Sequence, residues 1–458
     1  MKRGSEPAVL TSADRQLTCS DPFPGVDAGM SNSSRIPGFY KLPPDERRNA
    51  IEAHADLETD EVAALDATAL SVESADLMVE NVIGTFALPL GVGLNFLIDG
   101  RDAVVPMAVE EPSVVAAVSN MAKLVRQAGG FTTEVDDSLM IGQVQLMNVS
   151  DTDRVVKRVE TRLPDLVAKA AAVHPRLIER GGGLRDMYVK RVEYDEPGEK
   201  PESMVVLEFV LDCVDAMGAN MVNTVAERLA PDLAHISGEK VGLRILSNLA
   251  SHRLARAFCA IPAELFNGPN LDGAAVIEGI ANAYRFAWAD PWRAATHNKG
   301  TMNGIDPVAI ATGQDWRAIE AGAHAWAARD GQYRSLTTWK VIDGVLHGSI
   351  EVPMQVGTVG GTLKTHPTVA ANLKILGNPR ARALAGIMVS VGLAQNLGAL
   401  RALATEGIQR GHMRMHARHV AAEAGALGEE VRAVVNELVE AQDFSVEAAR
   451  SALDRIRS

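Results

Sequence analysis

The segment Ala383–Leu400 reads ALAGIMVSVGLAQNLGAL and contains no charged residue. With 18 residues it reaches the lower edge of the length that spans a bilayer. It also contains three glycines and three polar side chains, namely Gly386, Gly392, Gly398, Ser390, Gln395 and Asn396. Lipid-facing helices rarely carry so many polar groups, and the glycines would let neighbouring helices approach closely. We therefore interpret the segment as the buried central helix of a large soluble domain, in preference to a membrane span.

The composition of the whole chain is that of a globular protein. Of its 458 residues, 47% are apolar and 22% are charged, and the formal charge is −13. An acidic chain has no general attraction for nucleic acid or anionic membranes, so an anionic ligand would need a local basic pocket. The three cysteines, Cys19, Cys213 and Cys259, form neither a disulfide framework nor a zinc motif. We expect a cytoplasmic protein.

Strands and helices alternate in the middle of the chain, whereas helical patterns dominate on either side. Gln143–Leu146, Met187–Val192 and Met204–Val214 alternate as strands do, and Val155–Val173 and Met221–His235 have helical spacing. This order predicts an α+β fold in which a small α+β domain is inserted into a larger, mainly helical one. The first 29 residues are polar and lack a secretory signal, so we expect a disordered extension there.

Two glycine-rich segments each follow a predicted strand and precede a predicted helix. They are DAMGAN at Asp215–Asn220 and GTVGG at Gly357–Gly361. Free backbone N–H groups and a helix N-terminus at such a turn can bind an anion. DAMGAN does not match GxGxxG, so the Rossmann fingerprint is absent. From local sequence alone, an ordinary strand-to-helix turn explains either segment as well.

Isolated charged residues form a second group of candidates. Glu111 lies between a predicted strand and a predicted helix, where helix capping would also place an acidic residue. Lys299 lies in HNKG, for which we expect a turn rich in Gly and Asn, and Asn303 is close by. Asp315 lies in TGQDW. Charged residues among small or apolar neighbours are either paired structurally or functional.

The histidines near the C-terminus allow two interpretations. His412, His416 and His419 would lie on one face of a helix, a spacing that could hold a metal. HExxH is absent and no acidic or cysteine cluster is near, so we expect no metal. Gly407 and Gly411 precede His412, which favours a mobile acid–base group on a flexible segment.

Six motifs occur together in the order known from one family. They are ENVIG from Glu80, EPS from Glu111, DAMGAN from Asp215, HNKG with MNGID from His297, TGQDW from Thr312 and QRGHM from Gln409. From about Arg35 to its end the chain resembles a class II, bacterial-type 3-hydroxy-3-methylglutaryl-CoA (HMG-CoA) reductase. The resemblance implies that HMG-CoA and (R)-mevalonate plus CoA are interconverted by two successive hydride transfers with a nicotinamide cofactor. It leaves the physiological direction open.

The resemblance assigns four catalytic residues. Lys299 would stabilise the oxyanion, and Glu111, with a raised pKa, would supply a proton to the carbonyl oxygen. Asp315 would lie between them and orient the lysine. His412 would protonate the departing CoA thiolate.

The resemblance also assigns the binding residues and the domains. The implied substrate-binding residues are Ser113, Asn248, Arg293, Asn303, Glu80 and Asn81. The implied cofactor-binding residues are Asp215, Met217, Gly218, Asn220, Gly357, Val359, Gly360, Gly361 and His174. The implied domains are an N-terminal extension at 1–33, a large substrate and CoA domain at 34–139 and 247–408, a small ferredoxin-like, non-Rossmann cofactor domain at 140–246, and a helical flap at 409–458. A homodimer with shared active sites, or a larger assembly of dimers, is also implied.

Two positions depart from the family's pattern. His174 stands where some NAD-using relatives have an acidic residue that binds the adenine ribose, and Arg176 and Arg180 could instead receive a 2′-phosphate. Similarity to NAD-using members favours NAD(H), and NADP(H) stays open. Tyr40 replaces an arginine that some relatives use for CoA, and Lys41 could substitute for it.

Two other functions compete with this interpretation. A non-redox CoA-thioester enzyme, a lyase or thioesterase, would need a nucleophile or a metal, yet the cysteines lie outside every motif. An inactive protein of the same fold is disfavoured because Glu111, Lys299, Asp315 and His412 are all present.

Overall fold

A computed structural model describes residues 33–360, 363, 365–405 and 408–457, except for the side chains of 408–415. The expectations for residues 1–32, for Gly361 and for the His412 side chain therefore lie outside the described residues. The helices of the described part are α1 (Pro44–Ala55), α2 (Thr59–Ala63), α3 (Val72–Asp76), α4 (Val114–Gln127), α5 (Thr152–Thr161), α6 (Leu163–Ala171), α7 (Pro175–Glu179), α8 (Ala219–Ser237), α9 (Gly273–Ala289), α10 (Pro291–Ala311), α11 (Trp316–Ala327), α12 (Pro367–Ile375), α13 (Ala381–Ala404), α14 (Ile408–Glu423), α15 (Glu429–Ala441) and α16 (Val446–Arg457). The strands are β1 (Leu90–Ile98), β2 (Arg101–Ala108), β3 (Thr132–Val135), β4 (Leu139–Met147), β5 (Gly183–Tyr194), β6 (Glu202–Asp212), β7 (Lys240–Leu246), β8 (Leu254–Pro262), β9 (Thr337–Ile342) and β10 (Val345–Pro353).

Helix α13 is the centre of the larger hydrophobic core. It is buried along most of its length and packs against α4, α9 and α10 and against strands β3, β8 and β10. By length and composition it could cross a membrane, but 78% of its apolar window is buried inside the protein. The predicted buried central helix is therefore confirmed.

Two glycines explain how closely α10 and α13 approach each other. A Cβ atom added to Gly304 of α10 would lie 2.7 Å from the carbonyl oxygen of Val391, and one added to Gly392 of α13 would lie 2.8 Å from the side chain of Ile305. Neither space admits a Cβ atom without a shift of the neighbouring helix. Each helix therefore has a glycine where the other crosses it.

The polar residues of α13 are used inside the core. The side-chain oxygen of Asn396 accepts hydrogen bonds from Thr337 Oγ1 at 3.0 Å and Trp339 Nε1 at 2.8 Å, and its nitrogen donates to the carbonyl oxygen of His297 at 3.4 Å. A buried amide costs little stability when its atoms have partners. Asn396 therefore joins α13 to β9 and α10.

Two antiparallel sheets accompany this core. β1 and β2 form a hairpin, and the other sheet has the strand order β3-β8-β10-β9. β2 ends at Ala108, just before the segment that contains Glu111, and β10 ends at Pro353, just before the second glycine-rich segment. The ends of these two strands therefore position predicted site residues.

The inserted part of the chain has its own sheet and core. Its four antiparallel strands have the order β5-β6-β4-β7, with α5 to α7 between β4 and β5, and α8 between β6 and β7. This is the ferredoxin-like βαββαβ arrangement. Leu146, Phe209 and Leu229 belong to its separate hydrophobic core. The predicted α+β fold class with a non-Rossmann insertion is confirmed.

Val155–Val173 is helical as predicted, but the prediction of a turn at Lys299 is wrong. Val155–Val173 forms two helices rather than one, because Pro164 lies in the first turn of α6 and cannot continue the hydrogen bonds of α5. Lys299 lies inside α10 and not in a turn. Asp290 caps this helix and Pro291 is its first residue, so the Gly- and Asn-rich sequence continues a helix that begins with strong signals.

Helices α14, α15 and α16 form a third hydrophobic core. Its buried side chains include Val420, Val434, Leu438 and Leu453. The backbone of His412 lies within α14, near the C-terminal end of α13. The C-terminal helices therefore pack mainly on one another.

Candidate active site

A cavity of about 750 Å³ lies between the start of α4, the first half of α10 and the C-terminal half of α13. Five predicted site residues line it, namely Glu111, Ser113, Arg293, Lys299 and Asn303. The volume is typical of small-molecule sites. Two stretches of sequence, the segment after β2 and one face of α10, therefore form a single site.

Two of these lining residues, Lys299 and Glu111, form an ion pair. Nζ of Lys299 is 2.5 Å from Oε2 of Glu111, and Nδ2 of Asn303 donates to Oε1 at 3.2 Å. Lys299 and Asn303 are one helical turn apart, so both reach the same carboxylate. Ser113, with a φ of 74°, turns the chain sharply between Glu111 and α4. An ammonium group beside a carboxyl group can hold a carbonyl oxygen and transfer a proton to it.

The first turn of α10 adds a second cation. Arg293 lines the cavity, and burial lowers the pKa of its guanidinium group. His297 is buried, with Nε2 2.6 Å from Thr337 Oγ1. Burial and the nearby charge of Arg293 lower the pKa of His297 to about 3, so its ring is neutral at physiological pH. The cavity therefore offers Lys299 and Arg293 to an anionic substrate.

The two glycine-rich loops contact each other beside the N-terminus of α8. A Cβ atom added to Gly357 would lie 2.4 Å from the backbone nitrogen of Met217, and one added to Gly218 would lie 2.4 Å from Sγ of Cys213. Gly218 has a φ of 105° and directly precedes α8, whose first turn contains Asn220. A side chain at either position would collide with Met217 or Cys213, so these buried glycines let the loops pack closely. Met217 is half-buried and Asn220 is exposed, so the free N–H groups at the start of α8 fit a dinucleotide pyrophosphate.

Hydrogen bonds hold the two loops together. The N–H of Thr358 donates to the carbonyl oxygen of Asp215 at 2.8 Å, and the N–H of Gly357 donates to Oε1 of Gln314 at 2.8 Å. Gln314 adjoins Asp315, so the loop pair also contacts the TGQDW segment. The remaining predicted residues of the second loop are Val359 and Gly360, both exposed.

Side chains beside the loops have separate partners. The carboxylate of Asp215 accepts hydrogen bonds from Arg380 at 2.8 and 3.0 Å and from the N–H of Ala381 at 3.1 Å, which fastens the first loop to the start of α13. Nε2 of His174 lies 3.0 Å from the carbonyl oxygen of Met221, in the first turn of α8. Asp215 therefore anchors the first loop, and His174 lies beside the first turn of α8, which follows that loop.

Asp315 and Asn248 lie with the loops and not with the cavity. Asp315 caps α11, and the carbonyl oxygen of Asn248 accepts a hydrogen bond from Nε2 of Gln355 at 3.0 Å. About 18 Å of helix rise separates Lys299 from the end of α10 that precedes Asp315. Within one chain, Asp315 therefore does not lie between Glu111 and Lys299, where we expected it.

Glu80 and Asn81 lie neither at the cavity nor at the loops but in an exposed segment before β1. The same segment contains Leu77, Ile83 and Phe86, which are 90%, 102% and 91% exposed. So many exposed apolar side chains close together are typical of an interface.

One family model covers most of the chain. It is described as hydroxymethylglutaryl-coenzyme A reductase and matches residues 43–417. The chain belongs to the HMG-CoA reductase family. It is 49% identical to the 3-hydroxy-3-methylglutaryl-coenzyme A reductase of Archaeoglobus fulgidus, over 93% of this chain and 95% of the relative. It is 33% identical to a probable reductase of this name from Borreliella burgdorferi, over 75% and 77% of the two chains.

Solved HMG-CoA reductases have the same fold. An HMG-CoA reductase from Streptococcus pneumoniae matches with a TM-score of 0.77 at 42% identity, covering 92% of this chain and 99% of that chain. A class II HMG-CoA reductase from the same organism, bound to NADPH in open conformations, matches with a TM-score of 0.76 at 43% identity, covering 81% and 99%.

The chain is therefore an HMG-CoA reductase of the class II type, an NAD(P)-dependent oxidoreductase that interconverts HMG-CoA and mevalonate plus CoA. A non-redox CoA-thioester enzyme is not favoured. Cys213 and Cys259 are buried, and burial raises the pKa of each thiol to about 12, so neither is an activated nucleophile.

Sequence reasoning missed a second cavity in this reductase, of about 970 Å³. Its wall carries five basic side chains, Arg35, Arg47, Arg48, Lys123 and Arg418. Tyr40 lines it too, whereas Lys41 is not among the described lining residues. Asn120 borders both cavities, so they adjoin. The basic residues near the N-terminus were the only available signal, because Lys123 and Arg418 come from distant parts of the chain.

The role of His412 in the reductase stays a prediction. Its backbone belongs to α14, and its side chain lies outside the described residues. Among the side chains that the structure describes, no group of three or more His, Cys, Asp and Glu residues could hold a metal ion.

Proposed function

We propose that this HMG-CoA reductase works at a composite site, formed by the cavity of one chain and the glycine-rich loops of a second copy. The ion pair of 2.5 Å between Lys299 and Glu111, on a cavity wall that also carries Arg293, is the observation that carries the proposal. The pair places an ammonium group and a carboxyl group at one point, where reduction of a carbonyl group requires a cation for the oxyanion and a group that transfers a proton to oxygen.

The cavity residues bind and polarise the acyl group. Two molecules of reduced nicotinamide cofactor, bound one after the other, would each supply one hydride. Lys299 donates a hydrogen bond to the thioester oxygen and stabilises the charge that forms there as the carbonyl carbon becomes tetrahedral. Arg293 binds the free carboxylate of the substrate, and Asn303 and Ser113 bind its hydroxyl group together with Asn248 of the second copy.

Proton transfers complete the two reductions. In the first, the C–S bond breaks and His412 delivers a proton to the sulfur, because free thiolate would attack the aldehyde again. In the second, the aldehyde is reduced and Glu111 delivers a proton to its oxygen. Asp315, contributed by the second copy, orients the ammonium group of Lys299. His412 belongs to the proposed flap at 409–458.

The second cavity suits the nucleotide end of CoA. Its five basic side chains would attract the phosphate groups, which the acidic chain otherwise repels. Its contact with the first cavity at Asn120 lets one ligand occupy both, with the acyl group beside Lys299. The exposed segment with Glu80 and Asn81 would contribute to the same ligand in the assembled dimer.

Two observations support the second copy. Asp315 follows α10, about 18 Å of helix rise beyond Lys299, and Asn248 is not among the residues that line the cavity, although the chemistry needs both beside Lys299. In addition, Leu77, Ile83 and Phe86 are almost fully exposed, and burying them against a second chain would remove that apolar surface from water. We therefore propose a homodimer with shared sites.

The small unit at 140–246 is proposed as the cofactor domain, beside a large domain at 34–139 and 247–408. The residues proposed to bind the cofactor are Asp215, Met217, Gly218, Asn220, Gly357, Val359, Gly360, Gly361 and His174. Asp215 would act by anchoring its loop, and the backbone of the others would face the pyrophosphate. We propose a cytoplasmic location from the composition and the acidic charge.

We propose NAD(H) as the preferred nucleotide from the resemblance to NAD-using members, and NADP(H) stays open, since the class II reductase from Streptococcus pneumoniae is bound to NADPH. Arg176 and Arg180 on and next to α7 are exposed near His174 and would attract a 2′-phosphate. Replacing both by alanine lowers kcat/KM for NADPH selectively if they contact that phosphate. Equal kcat/KM losses for both nucleotides would contradict such a contact.

The decisive experiment follows the nicotinamide absorbance with HMG-CoA, in parallel assays with NADH and NADPH. K299A should lower kcat about a hundred- to thousandfold, because a stabiliser of the oxyanion is lost. K340A, which removes an exposed lysine on β9, is the matched control and should keep full activity. Activity of K299A close to that of K340A would overturn the proposed site.

A further inference from the structure

Arg253 is a buried cation behind the two glycine-rich loops. It lies between β7 and β8, where the chain returns from the small unit to the large sheet, and it is 3% exposed. Its Nη1 donates to the carbonyl oxygens of Ala216 at 3.2 Å and Met217 at 3.1 Å, and its Nη2 donates to that of Val356. One guanidinium group therefore binds both loops.

Among the described residues, no carboxylate forms an ion pair with Arg253. The acceptors given above are main-chain carbonyl oxygens, and Asp212 and Asp215, whose charges act on Arg253 from nearby, form ion pairs with other arginines. Asp212 pairs with Arg185 and Asp215 pairs with Arg380, each at 2.8 Å. Burial lowers the pKa of Arg253 to about 10, which leaves it charged at neutral pH. A buried cation that forms no direct ion pair is costly, and a bound anion would lower that cost.

The same hydrogen bonds orient the first loop. In a trans peptide the C=O and N–H groups point in opposite directions. Because the carbonyl group of Met217 points at Arg253, the N–H of Gly218 points away from the guanidinium group. Gly218 is the N-cap residue of α8, whose first turn has N–H groups without helical partners. Arg253 therefore fixes the direction of donors at the proposed pyrophosphate site.

We propose that Arg253 is a positioning residue for the dinucleotide, which holds the two loops as one cradle and places a positive charge behind the pyrophosphate. This inference rests on the proposed position of the cofactor. The hydrogen bond from the N–H of Gly357 to Gln314 connects the two loops to the residue that precedes Asp315. Arg253 thus also fixes the cradle relative to a proposed catalytic residue, without touching the substrate.

The test measures NADH and NADPH binding to the full-length protein by fluorescence titration, without HMG-CoA. R253M should raise the Kd about tenfold or more, since charge-assisted hydrogen bonds to the loops are lost. R253K keeps the charge but cannot span both loops, and should raise the Kd about fivefold. In steady state the KM for the nucleotide should rise, while the KM for HMG-CoA changes less than twofold.

R256M is the matched control. Arg256 lies three residues further along the chain and pairs with Asp136 at 2.9 Å and Glu351 at 2.7 Å, away from the loops. It should lower thermal stability without changing the Kd for either nucleotide. A role of Arg253 in stability alone would make R253M and R256M alike in both measurements.

The outcomes separate this inference from the proposed cofactor site. If the unmutated protein binds neither nucleotide, the proposed site is wrong and the inference falls with it. If it binds a nucleotide and R253M stays within threefold of its Kd, only the role of Arg253 is overturned. If R253M does not fold, R253K decides, and a Kd within twofold of the unmutated value rejects the clamp.

Discussion

Asp306 is a half-buried acid that the proposed chemistry does not use. Burial and the hydrogen-bonded neighbour Glu320 raise its pKa from about 3.8 to about 8. The folded protein therefore keeps a proton that the unfolded chain has lost, and the free energy of unfolding falls as pH rises from about 4 to about 8. D306N cannot ionise, so we expect its melting temperature to fall less than that of the unmutated protein between pH 5 and pH 9.

The control for this measurement is D330N, which changes an exposed aspartate near the end of α11. Its melting curve should follow that of the unmutated protein at every pH. Parallel pH dependence in D306N and the unmutated protein would mean that Asp306 does not hold its proton in the folded state.

His412 can be tested separately from the other proposed catalytic residues. H412Q cannot deliver a proton near neutral pH, so we expect strong impairment of HMG-CoA reduction and weak impairment of mevaldehyde reduction, where no thiolate leaves. E111Q should impair both reactions, because each needs a proton on oxygen. The measurement is the ratio of kcat with the two substrates. Equal losses in H412Q would instead indicate that His412 only anchors its helix.

At the level of secondary-structure elements, the crossing of α10 and α13 depends on glycine. G304A would force a Cβ atom to within 2.7 Å of Val391, so we expect the free energy of unfolding to fall by about 1–3 kcal/mol. G300A, on the same helix, has no atom within 4 Å of its added Cβ, and alanine should stabilise the helix by about 0.5–1 kcal/mol. Denaturant unfolding measures both. Equal stability of the two variants would contradict the close crossing.

The sequence predicted the elements well where a single local signal decides. Hydrophobic spacing indicated α13, and the alternation of strands and helices indicated the inserted unit, because burial of apolar side chains determines both patterns. The prediction for Lys299 failed because glycine has two uses. Gly300 and Gly304 suggested a turn. In the structure, α13 packs so close to Gly304 that no side chain fits there, and the sequence alone does not show which helix is the neighbour.

The sequence predicted which residues form the candidate site but not how they are arranged. The motifs indicated Glu111, Lys299 and Asn303, and these three are in contact. Asp315 was expected beside them, but the length of α10 holds it away, and no spacing in the sequence encodes a partner from a second chain. Arg253 gave no signal either, because its importance comes from three carbonyl groups rather than from a motif.

At the scale of the whole molecule, mixing two inactive variants tests whether sites are shared. K299A and D315A should each be inactive as homodimers. If Lys299 and Asp315 of one site come from different chains, co-expression gives mixed dimers with one intact site in two, and about a quarter of full activity returns. Mixing K299A with the double variant K299A/D315A is the control and should restore nothing. No recovery in the first mixture would mean that each chain holds a complete site.

The buried position of α13 has a consequence for how the protein is made. The elements that bury it, α4, α9, α10, β3, β8 and β10, all precede it in the chain. A ribosome synthesises the chain from its N-terminus, so these surfaces exist before α13 leaves the exit tunnel. A nascent segment this apolar is a suitable substrate for the membrane-insertion machinery. Because α13 is translated after these elements, the folding core can enclose it as soon as it emerges, in competition with the insertion machinery.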